Sequence, residues 1–204
     1  MKIKTIVLPL IAIAALAGII WYAGLGDDNQ TASITSFREK DEKEFILGDP
    51  EAPVTMINFS SHFCGHCVDF HNDKLPLITE KYIKTGQVKY VSKIISPIEL
   101  GMAIFCADEE GKYWEYNDYL FKHISEIETI NDLKEIAGNL GLDQEGFDTC
   151  YNSGRHQAKI VSNFEEAEDM KIEGTPTFFI NGEEITGNQP IEVFEEAIEK
   201  ALNQ

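Results

Sequence analysis

The chain has 204 residues and a formal net charge of −18, because 17 Lys and Arg face 35 Asp and Glu. This acidity excludes nucleic-acid binding through a basic surface and disfavours attraction to anionic lipid headgroups. With 43% hydrophobic and 25% charged residues, the chain can bury a core, so collagen, coiled coil and intrinsic disorder are excluded. Its length suits one domain, or one domain with a sizeable insertion.

An uncharged apolar stretch runs from Ile6 to Leu25 and follows Lys2 and Lys4. As a helix it would span about 30 Å, the thickness of the hydrocarbon core of a bilayer. We therefore predict that residues 1–25 form a signal anchor, a transmembrane helix with its lysine end in the cytoplasm. The sequence Ala15-Leu16-Ala17 leaves cleavage of a signal peptide, and secretion, as the alternative. Either case makes the rest of the chain extracytoplasmic, on the periplasmic or cell-surface side, where cysteines can oxidise.

Residues 26–44 are polar and lack apolar periodicity, which is typical of a flexible tether. The folded domain is predicted for residues 45–204. Without Lys2 and Lys4, the exported part holds 15 basic and 35 acidic residues, a net charge of −20. Its surface should therefore be soluble and should not adhere to membrane headgroups.

The first part of the domain has a strand–helix–strand pattern. Residues 54–59 are β-rich and predict a buried strand. The pattern turns helical after Cys64, and Pro76 is expected to kink or divide that helix. Residues 87–95 are the next strand candidate. This order implies two parallel strands joined by a right-handed crossover.

From about residue 97 to residue 170, helical spacing recurs without a convincing strand signal, which predicts an inserted all-helical subdomain. The helices are expected over residues 100–107, 113–124, 133–140, 144–151 and 156–170. The β pattern resumes at residues 177–180, and Asn181-Gly182 predicts a tight hairpin because both residues accept positive φ. A last amphipathic helix is expected over residues 191–202, with an apolar side made by Val193, Phe194, Ala197, Ile198 and Ala201.

The sequence Cys64-Gly65-His66-Cys67 lies at the predicted junction of strand and helix. Backbone N–H groups and the dipole at a helix N-terminus stabilise a thiolate, so Cys64 is the expected nucleophile. His66, in the first turn, can add positive charge or a hydrogen bond. The spacer Gly65-His66 leaves Cys67 close enough to form or resolve a disulfide. The motif therefore predicts a catalytic, redox-active disulfide that needs no other cofactor.

Two alternatives compete with the redox pair. An inert disulfide is one, although bridges of this short spacing are usually strained and reducible. The other is a zinc or copper site, because three histidines lie close to the two cysteines: His62, His66 and His71. No second Cys-x-x-Cys occurs in the sequence, and the one His-x-x-x-His, His62 with His66, lies within the same cluster, so no further motif completes a tetrahedral site. We therefore expect no metal and expect each histidine at the surface, and keep a metal-binding chaperone and a noncatalytic scaffold domain as alternatives.

Four separated motifs together resemble the DsbA-like branch of the thioredoxin superfamily, over roughly residues 45–202: Ile46-Leu47-Gly48-Asp49-Pro50 with Ala52-Pro53-Val54-Thr55, Cys64-Gly65-His66-Cys67, Cys106-Ala107 with Gly111-Lys112-Tyr113-Trp114-Glu115-Tyr116, and Gly174-Thr175-Pro176-Thr177. The resemblance implies an α/β thioredoxin-like fold with a helical insertion. It implies thiol:disulfide oxidoreductase activity on exported proteins. It also implies that the Thr175-Pro176 bond is cis and that this loop faces the active disulfide and binds the substrate backbone.

The chain departs from that family at Asn58. Family members usually carry a carboxylate six residues before the first cysteine, beneath the buried thiol. An amide can hydrogen-bond but cannot take the thiol proton. We therefore predict that Cys67 is activated by water or by a different group.

Cys106 and Cys150 are the second pair. Four cysteines allow three pairings, and with Cys64 and Cys67 assigned to each other only this pair remains. Some relatives are similar in using such a pair as a structural disulfide. Two buried free thiols are the alternative.

The resemblance also implies partners: reduced substrate proteins, and a membrane quinone-linked reoxidase of the DsbB or vitamin K epoxide reductase (VKOR) type. The segment before residue 45 is too short for a dimerisation domain, so a monomer is expected and isomerase activity is disfavoured. A disulfide reductase in extracytoplasmic thiol maintenance or cytochrome maturation stays open, because the direction of exchange depends on potential and partner.

Overall fold

The structure is a computed structural model, and it describes residues 45–204. The predicted membrane anchor over residues 1–25 and the tether over residues 26–44 lie outside the described residues. Among residues 45–204, none of the helices combines the length and the apolar composition needed to cross a bilayer.

A mixed five-stranded sheet in the order β1-β3-β2-β4-β5 is the centre of the fold. Its strands are β1 (Phe45–Leu47), β2 (Val54–Ser60), β3 (Val88–Ile94), β4 (Thr177–Ile180) and β5 (Glu183–Thr186). β2 and β3 are parallel, as the strand–helix–strand pattern predicted, and the other neighbours are antiparallel. No sequence pattern predicted β1 as a separate strand, and it has only three residues.

The connection from β2 to β3 is helical but not uniform, and we call the whole segment α1. Gly65–Asp69 and Leu75–Ile78 are α-helical, whereas Phe70–Lys74 and Thr79–Ile83 are wider π-helical turns. Pro76 lies in the first turn of the second α segment, directly after a π-helical turn. The π turn before it gives the ring room. The prediction that Pro76 divides this helix is confirmed.

The predicted helical insertion is confirmed. Its helices are α2 (Ile98–Asp108), α3 (Tyr113–His123), α4 (Ile130–Asn139), α5 (Gln144–Ser153) and α6 (Gln157–Asp169), with one 3₁₀ turn at Ile124–Glu126. α2 is buried from Leu100 to Ala107 and so forms the centre of this core. At Gly101 an added Cβ would lie 2.8 Å from Ile160, so glycine permits the close approach of α2 to α6.

The predicted hairpin and last helix are also present. Asn181 and Gly182 have φ of 45° and 91°, as a type I′ turn requires, and they join β4 to β5. Helix α7 (Ile191–Leu202) buries Phe194 and Ile198 against the sheet. Val193, expected on its apolar side, is instead 38% exposed.

Two hydrophobic cores, one in the insertion and one between the sheet, α1 and α7, meet at Trp114. Its indole N–H donates to the carbonyl of Ile46 at 3.2 Å. Next to it, the rings of Tyr113 and Phe45 stack with centroids 3.9 Å apart. These contacts hold β1, at the edge of the sheet, against the insertion. Tertiary packing, rather than a local sequence pattern, therefore determines where this short strand forms.

The structure contains the Cys106–Cys150 disulfide, which links α2 to α5 across 44 residues of sequence. Both cysteines are buried in the insertion core, at 2% and 1% exposure. Since the bridge closes a long loop, it limits the conformational entropy of the unfolded chain.

We expect the double substitution Cys106→Ala/Cys150→Ala to lower the free energy of unfolding by about 4 kcal/mol, from the loop-closure entropy of about 45 residues. Denaturant titration measures the change. Reduction of the wild-type bridge is the control and should give a similar loss. A difference below about 1 kcal/mol would show that the bridge does not stabilise this domain.

Candidate functional site

The two thiols of the predicted motif lie where the carboxyl end of β2 leads into α1. Cys64 is the N-cap of the first α segment, and its carbonyl accepts the backbone N–H groups of Cys67 and Val68 at 2.9 and 3.0 Å. Cys64 is half-buried, whereas Cys67, one turn further on, is only 1% exposed. Both are free thiols. The helix start thus presents one sulfur to solvent and covers the other.

Cys64 is surrounded by hydrogen-bonding groups. Its thiol donates to the carbonyl oxygen of Thr175 at 3.1 Å. Partial burial alone would raise the pKa of Cys64, but hydrogen bonds from the side chains of Thr175 and Cys67 and from the backbone N–H groups of Cys67 and His66 outweigh burial. The pKa of Cys64 therefore lies below that of an ordinary thiol. A sulfur of this kind is a good leaving group in disulfide exchange.

Cys67 has the opposite electrostatics. Burial raises its pKa to about 11, and the Cys64 thiol adds to that increase. A hydrogen bond from the backbone of Ser61 and the nearby hydroxyls of Thr175 and Ser60 oppose it without overcoming it. At neutral pH, Cys67 therefore keeps its proton more firmly than Cys64 does.

The Thr175-Pro176 bond is cis, as the resemblance implied, and its loop faces Cys64 through the Thr175 carbonyl. Two hydrogen bonds hold the loop. The Thr177 hydroxyl donates to the Gly174 carbonyl at 2.8 Å, and Gly187 N–H donates to the Pro176 carbonyl at the same distance. The loop is therefore in place for a role in substrate binding, which stays a prediction.

The spacer residues Gly65 and His66 are both exposed. His66 lowers the pKa of Cys64 through its backbone N–H. A Cβ at Gly65 would meet no heavy atom within 4 Å. The spacer therefore leaves the approach to Cys64 open.

The expectation that His62 lies at the surface is wrong, because its side chain is fully buried. Its Nδ1 lies 2.7 Å from the Ser96 hydroxyl and its Nε2 lies 3.0 Å from Asn117 Oδ1. The Ser96 hydroxyl also accepts the backbone N–H of His62 at 2.7 Å. Burial lowers the pKa of His62 to about 3, so the ring is neutral and joins the loop before Cys64 to the insertion.

His71 also differs from the surface expectation, since it is 6% exposed. Its Nε2 lies 2.7 Å from Asp118 Oδ1, and its ring stacks on Phe121 with centroids 4.2 Å apart. The ring of His62 contacts the same phenylalanine at 4.1 Å. Metal binding by either histidine would have to replace these hydrogen bonds, which weakens the metal-chaperone alternative.

Sequence reasoning missed the partners Ser96, Asn117 and Phe121. One signal could have indicated Ser96. Parallel strands end at the same sheet edge, and Ser96 follows β3 as Ser61 follows β2. Asn117 and Phe121 carry no comparable signal, because they approach from a helix of the insertion.

At one helix start lie a thiol with a lowered pKa and a thiol with a raised pKa, and both face a cis-proline loop. This arrangement is suited to thiol–disulfide exchange on a thioredoxin-like fold. A family model described as thioredoxin matches residues 40–200, and the chain belongs to that family. Within it, the chain is a DsbA-like member of the oxidoreductase branch.

Three relatives illustrate the similarity. A Rickettsia felis protein, named provisionally as a protein-disulfide oxidoreductase, is 27% identical over 80% of this chain. The chain spans only 62% of that protein's length. The crystal structure of α-DsbA1 from Wolbachia pipientis is 28% identical with a TM-score of 0.75, covering 82% of this chain and 95% of that one. Disulfide bond formation protein D of Bacillus subtilis is 24% identical, covering 77% of this chain and 76% of that protein.

We expect Thr175→Val to raise the pKa of Cys64 towards that of an ordinary thiol. The substitution keeps the shape of the side chain but removes a hydroxyl whose hydrogen bond to the thiolate is worth about 1 kcal/mol. The thiolate absorbance of the reduced protein, followed against pH, measures the change. Thr177→Val is the matched control, because that hydroxyl bonds Gly174 and should leave the Cys64 titration in place. Equal titrations in wild type and Thr175→Val would contradict the assignment.

His62 makes stability depend on pH in the acid range. The pKa of His62 is near 6.5 in the unfolded chain and about 3 in the folded protein, so between these pH values only the unfolded chain binds a proton at this residue. Above about pH 6.5 neither state is protonated there, and the contribution of the neutral, buried ring to the free energy of unfolding is complete. It is lost as pH falls, at about 1.4 kcal/mol per pH unit. Denaturant titrations at several pH values should show a shallower acid loss for His62→Gln. His123→Gln, with 39% of its side chain exposed, should retain most of the slope, and an unchanged slope in His62→Gln would contradict the prediction.

Proposed function

We propose that this protein is an extracytoplasmic thiol:disulfide oxidoreductase that introduces or exchanges disulfide bonds in substrate proteins through Cys64 and Cys67. The observation that carries the proposal is the placement of the half-buried Cys64 at the N-cap of α1, with the buried Cys67 one turn further on and the carbonyl of Thr175 3.1 Å from Cys64. The pKa values of the two thiols are shifted in opposite directions, which agrees with this placement. The Rickettsia felis relative named for protein-disulfide oxidoreduction supports the reaction class.

The first step opens the Cys64–Cys67 disulfide of the oxidised enzyme. A substrate thiolate attacks Cys64 Sγ, the half-buried sulfur, and forms a mixed disulfide with it. The electron pair of the broken bond leaves on Cys67, which takes up a proton because burial raises its pKa to about 11. Protonation of Cys67 then slows the reverse attack, since a thiol is a much weaker nucleophile than a thiolate.

The second step releases the product. A second substrate thiolate attacks the substrate sulfur of the mixed disulfide, so the substrate gains a disulfide and Cys64 leaves as a thiolate. The enzyme has then accepted two electrons as the dithiol. Because the pKa of Cys64 is low, its thiolate leaves readily, and the stabilised reduced form makes the enzyme disulfide more oxidising.

The loop at Thr175 and Pro176 is the proposed site for the substrate backbone. In the dithiol, the Thr175 carbonyl accepts the Cys64 thiol proton. Formation of the mixed disulfide removes that proton, so the carbonyl becomes available to a backbone N–H of an extended substrate. An unpaired carbonyl beside the reacting sulfur favours backbone recognition over recognition of one side chain.

Reoxidation requires an electron acceptor, for which we propose a membrane quinone-linked enzyme of the DsbB or VKOR type. The proposed anchor over residues 1–25 would keep the domain near such a partner. Secretion after cleavage is the alternative location. We propose a monomer that uses no cofactor besides its own disulfide.

We expect a Cys64–Cys67 reduction potential above that of glutaredoxins, which is about −200 mV, because the leaving thiolate is stabilised. Equilibration of the protein with glutathione redox buffers measures it. The Cys106→Ala/Cys150→Ala variant should give the same value, which assigns the signal to the catalytic pair. A potential near that of thioredoxin, about −270 mV, would instead favour the reductase alternative.

A further inference from the structure

The sheet face beneath Cys67 carries a row of buried polar side chains. Asn58 and Ser60 on β2 are 3% and 2% exposed, and Tyr90 and Ser92 on β3 are 3% and 5% exposed. β2 and β3 pair in the register Asn58↔Ser92, and alternate residues of a strand share a face, so all four lie on one side of the sheet. A polar row inside a hydrophobic domain needs hydrogen-bond partners.

Two atoms of this row find none among the residues that the structure describes: Asn58 Oδ1 and Ser60 Oγ. The neighbouring groups are bonded. Asn58 Nδ2 donates to the Tyr90 hydroxyl at 2.6 Å, and the Tyr113 hydroxyl donates to Ser92 Oγ at 2.9 Å. A buried polar atom without a partner costs about 1–3 kcal/mol, and proteins usually resolve such a cost with an ordered water.

Ser60 and Asn58 are linked to Cys67 in different ways. The Ser60 side chain is near enough to act on the pKa of the Cys67 thiol. Tyr90, which Asn58 holds, is near enough for the charge of Cys67 to act on its own pKa. Ser60 therefore adjoins the thiol whose proton has to leave and return during exchange, and Asn58 lies next to Ser60 on the same face of β2 and bonds the tyrosine that senses that thiol.

We propose that Asn58 and Ser60 hold one water molecule against Cys67, and that this water carries the thiol proton between Cys67 and solvent. The inference rests on the proposed function, since only a reacting Cys67 needs the proton moved. Asn58 Oδ1 and Ser60 Oγ are the acceptors that fix the water. The Tyr90 hydroxyl accepts a hydrogen bond from the Asn58 amide, and its own proton remains available for a second hydrogen bond. Asn58 and Ser60 are thus positioning residues that act through the water.

The relay balances the step in which the enzyme disulfide closes again. Cys67 gives its proton to the water as its sulfur attacks Cys64 Sγ in a mixed disulfide. The bond between Cys64 and the other sulfur breaks, and that sulfur leaves with the electron pair as a thiolate. The water passes the proton to solvent. In the opening step the same path supplies a proton to Cys67.

The titratable groups around Cys67 are few. Cys64 lies on the same helix, and Tyr90 faces Cys67 from β3, with Asp118 of α3 acting on Tyr90. Burial raises the pKa of Tyr90 above its usual value, so this hydroxyl stays protonated. His62, in the preceding loop, is neutral above about pH 3. From the opposing loop, the uncharged side chain of Thr175 acts on Cys67, and Glu173 of the same loop is exposed. During closure Cys64 is held in the mixed disulfide, and His71, four residues further along α1, is bonded to Asp118, so the proposed water is the acceptor for the Cys67 proton near neutral pH.

The test follows disulfide closure in the reduced full chain after mixing with an excess of an aromatic disulfide that releases a coloured thiolate. Attack by Cys64 releases the first equivalent at a rate proportional to the reagent. Closure by Cys67 releases the second equivalent at a rate independent of the reagent concentration.

We expect Ser60→Ala to slow the second phase about tenfold near pH 7 and to leave the first phase unchanged, since proton transfer by a positioned group is worth at least that much. The deficit should shrink as pH rises, because hydroxide then takes the proton.

Asn58→Asp is the second variant, and it places a carboxylate that can take the proton directly. It should speed the second phase about tenfold near pH 7. Ser92→Ala is the matched control, because this buried serine lies on the same sheet face but already bonds Tyr113. Both of its phases should match wild type.

The outcomes separate the two proposals. Release of fewer than two equivalents by the wild type would overturn the proposed function itself. Two equivalents from the wild type, with a second phase unchanged in Ser60→Ala and Asn58→Asp, would overturn only the relay. A slow Ser60→Ala beside an unchanged Asn58→Asp would show that Ser60 acts directly, without the water. If Ser60→Ala does not fold, the rate of Asn58→Asp decides alone.

Discussion

The site depends on one constraint: Cys64 and Cys67 lie one helical turn apart at the start of α1, and the boundary of the core passes between them. Cys64 sits at the N-cap among backbone N–H groups, so its thiolate is stabilised. Cys67 sits in the core, where a thiolate is disfavoured. Within four residues, the pKa of one cysteine is thus lowered and the pKa of the other is raised. In the proposed exchange, that separation determines which sulfur leaves as a thiolate and which takes up a proton.

The rest of the fold keeps this boundary in place. Behind the loop, the neutral ring of His62 bonds Ser96 after β3 and Asn117 on α3, so the sheet and the insertion hold the same turn. In front of it, the Thr175 carbonyl contacts Cys64 from a loop that leads into β4. The insertion therefore does more than cover the sheet. Its helix α3 supplies the polar group that fixes the segment before the nucleophile.

Local patterns predicted the parts of the fold that local chemistry determines. The Asn181-Gly182 turn and the division of α1 at Pro76 follow from backbone preferences of two or three residues, and the five insertion helices follow from apolar spacing. The expectations for His62 and His71 were wrong because their burial depends on partners 34 to 55 residues away. Periodicity cannot locate such partners. The cis state of Thr175-Pro176 came only from the resemblance, and β1 depends on packing against Trp114 and Tyr113.

Asn58 shows how a substitution beneath a buried thiol changes what the surroundings must do. A carboxylate at this position could exchange a proton with Cys67, but burying its charge would cost several kcal/mol unless it were paired or protonated. An amide avoids that cost and can bond Tyr90 while remaining neutral at every pH. It also leaves one buried oxygen unsatisfied beside that of Ser60. In place of a buried carboxylate, the chain therefore has two buried polar oxygens, which a single water molecule can satisfy. In the proposed relay, proton transfer at Cys67 then depends on that bound water rather than on a side chain that titrates.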